Sequence, residues 1–119
     1  MPTSIDSAFE EFQKELGPSN AARDDETIAR YARTTQAQAP APSCILYPET
    51  TEQVQALTRI ASQHDVVLYP ISCGKNWGYG DACAPTADSA IVDLGRMNRI
   101  LEVNTDLAYC VIEPGVTQQ

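Results

Sequence analysis

Apolar positions near the N-terminus keep helical spacing and then give way to short apolar runs. Ile5, Ala8, Phe9, Phe12 and Leu16 fall on one stripe, which predicts a helix from Ser4 to Leu16. Ser7 and Glu10 have capping-box form, and Gly17-Pro18 ends the segment. Asp24 to Arg33 predicts a second, shorter helix with Ile28 and Tyr31 inward. The stretch TTQAQAPAPS then reads as an extended, exposed connector. Beyond it, SCILYP predicts a strand, and Thr50–Gln53 can cap a helix running to about His64 with Val54, Leu57, Ile60 and Ala61 on its apolar face. VVLYP at 66–70 is a continuous apolar run, which predicts a strand buried on both faces. Residues 43–70 thus form a strand–helix–strand unit whose right-handed crossover makes the two strands parallel. AIVDL at 90–94 predicts another strand, and RILEVN and AYCVIEP, joined by Asn104-Thr105-Asp106, predict a hairpin.

The organisation that follows is an N-terminal helical arm over residues 1–36, a linker over 37–43 and a main unit over 44–119. The chain stops at PGVTQQ, where Pro114-Gly115 and a Thr117 cap announce a helix that does not follow, so the main unit reads as truncated. Open sheet edges would make such a piece poorly soluble alone.

Charge narrows the partners. With 119 residues, 8 Lys+Arg and 16 Asp+Glu, the net charge is −8. That argues against nucleic acid and against an anionic membrane surface, which need a basic footprint. No basic or apolar leader is visible, so the expected location is cytoplasmic. The cysteines at 44, 73, 83 and 110 have no C-x-x-C spacing, and one histidine cannot complete a zinc site, so no metal is expected. Four reduced thiols are expected, with Cys44 and Cys110 acting as small core hydrophobes; a Cys73–Cys83 bridge is the minor alternative.

The candidate chemistry lies in ISCGKNWGYGD, residues 71–81, where Gly74, Gly78 and Gly80 free the backbone and let another group approach. The stretch fails the phosphate-loop pattern G-x-x-x-x-G-K-[ST], because Lys75 follows the first glycine and Asn76 follows Lys75. It also fails the dinucleotide fingerprint, because DACAPTADSA downstream has no helical period. A nest of backbone N–H groups over residues 72–76 and a glycine turn that holds nothing stay open. Each N–H in such a nest would contribute about 1.5–3 kcal/mol toward a phosphate oxygen. Trp77 reads as closing the loop onto the core rather than stacking on a bound ring, Lys75 equally as a phosphate partner or a solvated loop lysine, and Asp81 as a cap on local N–H groups rather than an acid–base group. Tyr47 and Tyr69, each before a proline, read as packing, and Tyr109 carries no special signal. His64 is given no catalytic role, and Glu10, Glu11 and Glu15 read as a solvated face.

The run LYPISCGKNWGYGDACAPTADSAIVDLGRMNRILEVNTDLAYCVIEPGVT resembles the FAD-binding domain of the vanillyl-alcohol oxidase / p-cresol methylhydroxylase (PCMH-type) flavoprotein family. CILYPETTEQVQALTRIASQHDV resembles the strand and helix that precede the family's pyrophosphate loop. The resemblance covers roughly residues 43–117 and implies an α+β fold, the N-terminal part of such a domain. It also implies FAD as cofactor. Ser72, Cys73, Gly74, Lys75 and Asn76 match the loop around the FAD pyrophosphate, Gly78 and Gly80 its continuation, and Pro114 and Gly115 a turn along the cofactor. Tyr79 matches the tyrosine that binds the phenolate oxygen of the substrate, where its O–H stabilises negative charge as hydride leaves for the flavin.

Asn76 holds the place of the histidine that attaches FAD covalently in some relatives, which excludes attachment at this loop. GKNWGYG points to the branch that oxidises 4-alkylphenols rather than to lactone or 2-hydroxy-acid oxidising branches, which stand as the alternative. The implied parent enzyme takes a small phenolic substrate and has a cytochrome acceptor or homo-oligomerisation as further candidate partnerships. The second substrate tyrosine, its partner arginine and the acidic residue near the flavin ring are absent. The chain alone is therefore expected to be inactive, and a non-catalytic remnant with an incomplete FAD site is the competing reading.

Overall fold

The computed structural model describes residues 3–35, 37, 40–72 and 82–118. In chain order these form α1 (Ser4–Leu16), a 3-10 turn at Pro18–Asn20, β1 (Ala21–Ala22), α2 (Asp25–Tyr31), β2 (Cys44–Leu46), α3 (Thr51–His64), β3 (Val67–Ile71), β4 (Ser89–Asp93), β5 (Ile100–Asn104) and β6 (Tyr109–Ile112). The expected α+β organisation, a strand–helix–strand unit plus a hairpin, is present.

Four strands make a sheet in the order β1-β2-β4-β3, and β5 and β6 make a separate antiparallel pair. β2 and β3 are both parallel to β4, which lies between them; β1 runs antiparallel to β2. Alternation along the parallel strands divides the core into two layers. Cys44, Leu46, Ala90 and Val92 face α1 and α3, where they meet Phe12, Leu16, Leu57, Ile60 and Ala61. Ile45, Ile71 and Ile91 face the other way and pack with Ile28, Tyr31, Tyr47 and Tyr69. The inward positions expected for Ile28 and Tyr31 are met.

α1 has the expected bounds, Ser4–Leu16, but its cap is not the Ser7–Glu10 pair. The capping box is Thr3 with Asp6: the Asp6 N–H donates to Thr3 Oγ1, and the Thr3 N–H and hydroxyl donate to Asp6 Oδ2 at 3.0 and 2.7 Å. Ser7 already lies inside the helix, so it cannot act as the cap. The Thr3 bonds, with Arg23 at 2.5 Å, bring the exposed Asp6 carboxyl down to about 2. Glu10 and Glu15 are exposed as expected, but Glu11 is half-buried and its Oε1 lies 2.7 Å from His64 Nε2. That contact joins α1 to the last turn of α3, so Glu11 is not part of a free solvated face.

Two further expectations fail for one reason. β3 is not buried on both faces: Val67 is 47 % exposed and Pro70 is exposed, because β3 is the outer strand of its sheet. Pro70, with no N–H to donate, is tolerated at such an edge. Cys110 is exposed rather than core, because the β5–β6 pair has no covering layer among the described residues; Ile100, Leu101, Val103 and Leu107 are exposed beside it. Cys44 does act as a small core hydrophobe, and burial pushes its thiol up to about 12. Cys44, Cys83 and Cys110 are free thiols, while Cys73, and with it the alternative bridge, lies outside the described residues. Among the described residues no helix is long and apolar enough to cross a membrane.

Phe12 is fully buried between α1 and the sheet. Phe12→Ala is expected to cost about 3–5 kcal/mol in urea unfolding. A loss of only a few tenths would mean that the N-terminal helix is a detachable arm rather than part of the core.

Candidate functional site at the carboxyl ends of the parallel strands

β2, β4 and β3 end side by side at Leu46, Asp93 and Ile71, and the segments leaving them build one edge of the molecule. In sheets of this kind the crevice beyond the carboxyl ends of parallel strands is where ligands bind. The ladder continues one step past β4, where the Leu94 N–H donates to the Ile71 carbonyl at 2.9 Å. The chain then turns sharply through Gly95. A Cβ on Gly95 would meet Asp93 Oδ1 at 3.0 Å and the Ser72 carbonyl at 3.6 Å, so the exits of β3 and β4 lie against each other.

Asp93 pins this turn from below. Its Oδ1 accepts the Gly95 N–H at 2.9 Å and its Oδ2 accepts the Tyr31 hydroxyl at 2.5 Å. Burial, then the bond to Asp93, raises the Tyr31 hydroxyl well above its ordinary value, so it stays a protonated donor. On the β2 side the Arg96 guanidinium stacks over the Tyr47 ring, 4.8 Å from its centroid. Arg96 also donates to Asn20 Oδ1 and lies 3.7 Å from Glu49.

The segment after β6 closes onto the same turn. The Glu113 N–H donates to the Arg99 carbonyl at 2.9 Å, and the Gly115 N–H donates to the Met97 carbonyl at 2.7 Å. Gly115 leaves no room for a side chain: a Cβ there would stand 2.6 Å from the Gly95 carbonyl oxygen and 2.7 Å from that of Leu94. Two backbone turns, Leu94–Gly95 and Pro114–Gly115, therefore stack directly on each other. The buried Glu113 carboxylate locks them. Its Oε2 accepts the Arg99 N–H at 2.9 Å, and its Oε1 accepts Arg99 Nε–H and Nη2–H at 3.1 and 2.7 Å. These bonds hold the Glu113 carboxyl below its ordinary value and raise the Arg99 guanidinium.

Of the residues singled out in the sequence, Ser72, Pro114 and Gly115 are brought together around Gly95. Cys73, Gly74, Lys75, Asn76, Gly78, Tyr79 and Gly80, with Trp77 and Asp81, lie outside the described residues. The sequence reading missed Tyr31, Asp93, Gly95, Arg99 and Glu113. Only Gly95, two residues after Asp93 in VDLGRMN, carried a turn signal. The arrangement fits an anionic, pyrophosphate-bearing cofactor in one testable respect. Both acids beside the two turns have their oxygens committed inward, Asp93 to Gly95 and Tyr31, Glu113 to Arg99. Neither presents an unpaired carboxylate to an anion, although the chain as a whole is strongly acidic.

Gly115→Ala is expected to destabilise the protein by about 1–3 kcal/mol, read as a lower urea midpoint, because backbone must move to admit the methyl group. The Glu113 clamp adds a pH dependence. A carboxyl depressed in the folded state contributes stability above its unfolded value, near 4.5, and loses it as pH falls through the lower folded value. The difference in Tm between the parent and Glu113→Gln is therefore expected to be largest at neutral pH and to shrink below about pH 4.5. A pH-independent difference would rule out the ionised clamp.

Residues 42–119 match the FAD binding domain family. Over 116 residues, 97 % of this chain, the sequence is 44 % identical to 1'-carboxy-chondrochloren decarboxylase of Chondromyces crocatus, and the match covers 21 % of that protein. Over 113 residues, 92 % of this chain, it is 33 % identical to the 4-cresol dehydrogenase [hydroxylating] flavoprotein subunit of Pseudomonas putida, covering 22 % of it. The fold superposes on the crystal structure of p-cresol methylhydroxylase with substrate bound at a TM-score of 0.89 and 32 % identity, over 96 % of this chain and 23 % of that one. The chain thus spans about a fifth of the length of the relatives it matches. With the fold, the two stacked turns and these similarities together, the chain belongs to the FAD binding domain family of flavin-linked oxidoreductases, and FAD is the family's cofactor.

Proposed function

We propose that this chain is the FAD-holding N-terminal part of an oxidoreductase that oxidises 4-alkylphenols, with residues 44–119 forming the partial flavin domain behind a helical arm and linker. The observation that carries the cofactor part is the pair of stacked turns at the carboxyl ends of β3 and β4, with both neighbouring acids turned away from an anionic ligand. FAD would supply the electron sink that takes a hydride from the benzylic carbon of the substrate.

The chain's own residues have defined tasks in this reading. Ser72, Cys73, Gly74, Lys75 and Asn76, with Gly78 and Gly80, would surround the pyrophosphate, chiefly through backbone N–H groups, since the chain has few cations to spare. Pro114 and Gly115 would lie along the cofactor. Tyr79 would donate its hydroxyl proton in a hydrogen bond to the phenolate oxygen and stabilise its charge. The substrate part of the proposal rests on the likeness to the 4-cresol dehydrogenase subunit. A decarboxylase of higher identity favours a second reading, in which this region holds the flavin and the rest of the protein selects the reaction. In either case the chain alone binds cofactor without turnover.

Incubation of the 119-residue chain with FAD, followed by desalting, is expected to leave a flavin absorption band shifted from that of free FAD. A folded chain that retains no flavin would show that it does not bind the cofactor alone. In the whole flavoprotein, Tyr79→Phe is expected to retain FAD and to lower kcat/KM for a 4-alkylphenol by about 10²-fold. An unchanged kcat/KM would remove Tyr79 from the substrate site and favour the second reading.

A further inference from the structure

Glu113 and Arg99 hold each other by more than the hairpin needs. β5 and β6 are already paired from Ile100 to Ile112, and the Glu113 N–H to Arg99 carbonyl bond extends that ladder. The Glu113 carboxylate adds three more bonds, one from the Arg99 backbone N–H and two from its guanidinium. The Arg99 side chain is 70 % exposed, whereas that of Glu113 is 7 % exposed. The arginine therefore reaches in from solvent to a buried acid, and that acid directly precedes the Pro114–Gly115 turn. The turn rests on Leu94–Gly95 with no side chain between. The opposite side of the same contact is held by Asp93, which is committed to Gly95 and Tyr31.

We propose that Arg99 and Glu113 are positioning residues for FAD. Their ion pair sets the Pro114–Gly115 turn on Gly95, and Arg99 cancels a carboxylate that would otherwise repel the cofactor's phosphates. The inference rests on the reading that FAD lies along these turns. It assigns to the pair an electrostatic task that hairpin stability alone does not require. Two guanidinium N–H groups on one carboxylate oxygen, with the backbone N–H on the other, fix both geometry and charge, and lysine cannot reproduce them in full.

The test separates the two tasks. FAD affinity is measured by quenching of flavin fluorescence on the 119-residue chain, well below the unfolding midpoint of each variant. Arg99→Ala removes the guanidinium and leaves Glu113 Oε1 without its partner, while Oε2 keeps the N–H of residue 99; the uncancelled charge is expected to weaken FAD binding by about tenfold. Adding Glu113→Gln removes that charge and is expected to restore most of the affinity, while the unfolding midpoint stays at or below that of the single variant. A purely structural clamp would give the opposite pattern, with affinity in the double variant no better than in Arg99→Ala. Unchanged affinity in Arg99→Ala would equally overturn the proposal. Should Arg99→Ala not fold, Arg99→Lys replaces it; retained charge with lost geometry is expected to weaken FAD two- to threefold, and an unaltered affinity counts against positioning. Failure of the folded parent chain to bind FAD would refute the reading that this chain alone holds the cofactor, and this proposal with it. Binding by the parent with equal binding by all variants refutes only the proposal.

Discussion

Gly115 stands where two otherwise separate pieces of structure touch, and the contact is made of backbone alone. A methyl group at this position would lie 2.6 Å from the Gly95 carbonyl oxygen, closer than carbon and oxygen can approach. The requirement is space; Gly17, which ends α1 at a φ of 88°, is the described glycine with a left-handed backbone. Because the Pro114–Gly115 turn can sit flat on Leu94–Gly95, the hairpin is delivered to the carboxyl ends of the parallel strands. The bonds around that contact then follow: Gly115 to Met97, Glu113 to Arg99, Leu94 to Ile71. A site assembled from turns presents N–H and C=O groups rather than charged side chains, which suits a strongly acidic chain that must accept an anionic cofactor.

Electrostatics at this edge depends on orientation more than on composition. Asp93 and Glu113 are each one or two residues from a stacked turn, and on net charge alone both would oppose a phosphate. Each is instead turned onto partners that use both of its oxygens. Tyr31 remains protonated because burial disfavours its phenolate, so it donates to Asp93 throughout the physiological range. Arg96, stacked on Tyr47 and bonded to Asn20, ties the end of the 3-10 turn to the loop after β4. The result is a frame in which α2, the 3-10 turn and the hairpin all bear on the loop from Leu94 to Arg99.

The exposed apolar residues lie on the outer strand β3 and on the separate hairpin. Val67 on β3 and Ile100, Leu101, Val103, Leu107, Val111 and Ile112 on the hairpin are exposed. A groove lined by Val54, Leu57, Leu68, Pro70, Val92 and Leu94 opens beside the same outer strand. Matched relatives are about five times longer than this chain. Exposed apolar strands of this kind are association-prone, and a protein that carries them needs a further layer to cover them.

The local elements were legible from the chain because their signals are local. The stripe Ile5, Ala8, Phe12, Leu16 gave α1, Thr50 and Gln53 marked the start of α3, and Asn104 marked the hairpin turn, where its Oδ1 accepts the Leu107 N–H. The family and its cofactor were legible only through the resemblance of the run from Leu68 to Thr117 to a known flavoprotein domain, since the glycine spacing by itself left a phosphate nest and an empty turn both open. Burial of β3 and Cys110 was misjudged, since an apolar run reports what a strand prefers and not whether another layer exists to cover it. The interactions that hold the site together were not visible at all. Tyr31 and Asp93 are 62 residues apart, and Arg99 and Glu113 are 14 apart on opposite strands. No periodicity links such pairs. They meet because β4 inserts between β2 and β3 and because Gly115 lets one turn rest on another, and both facts arise from packing in three dimensions.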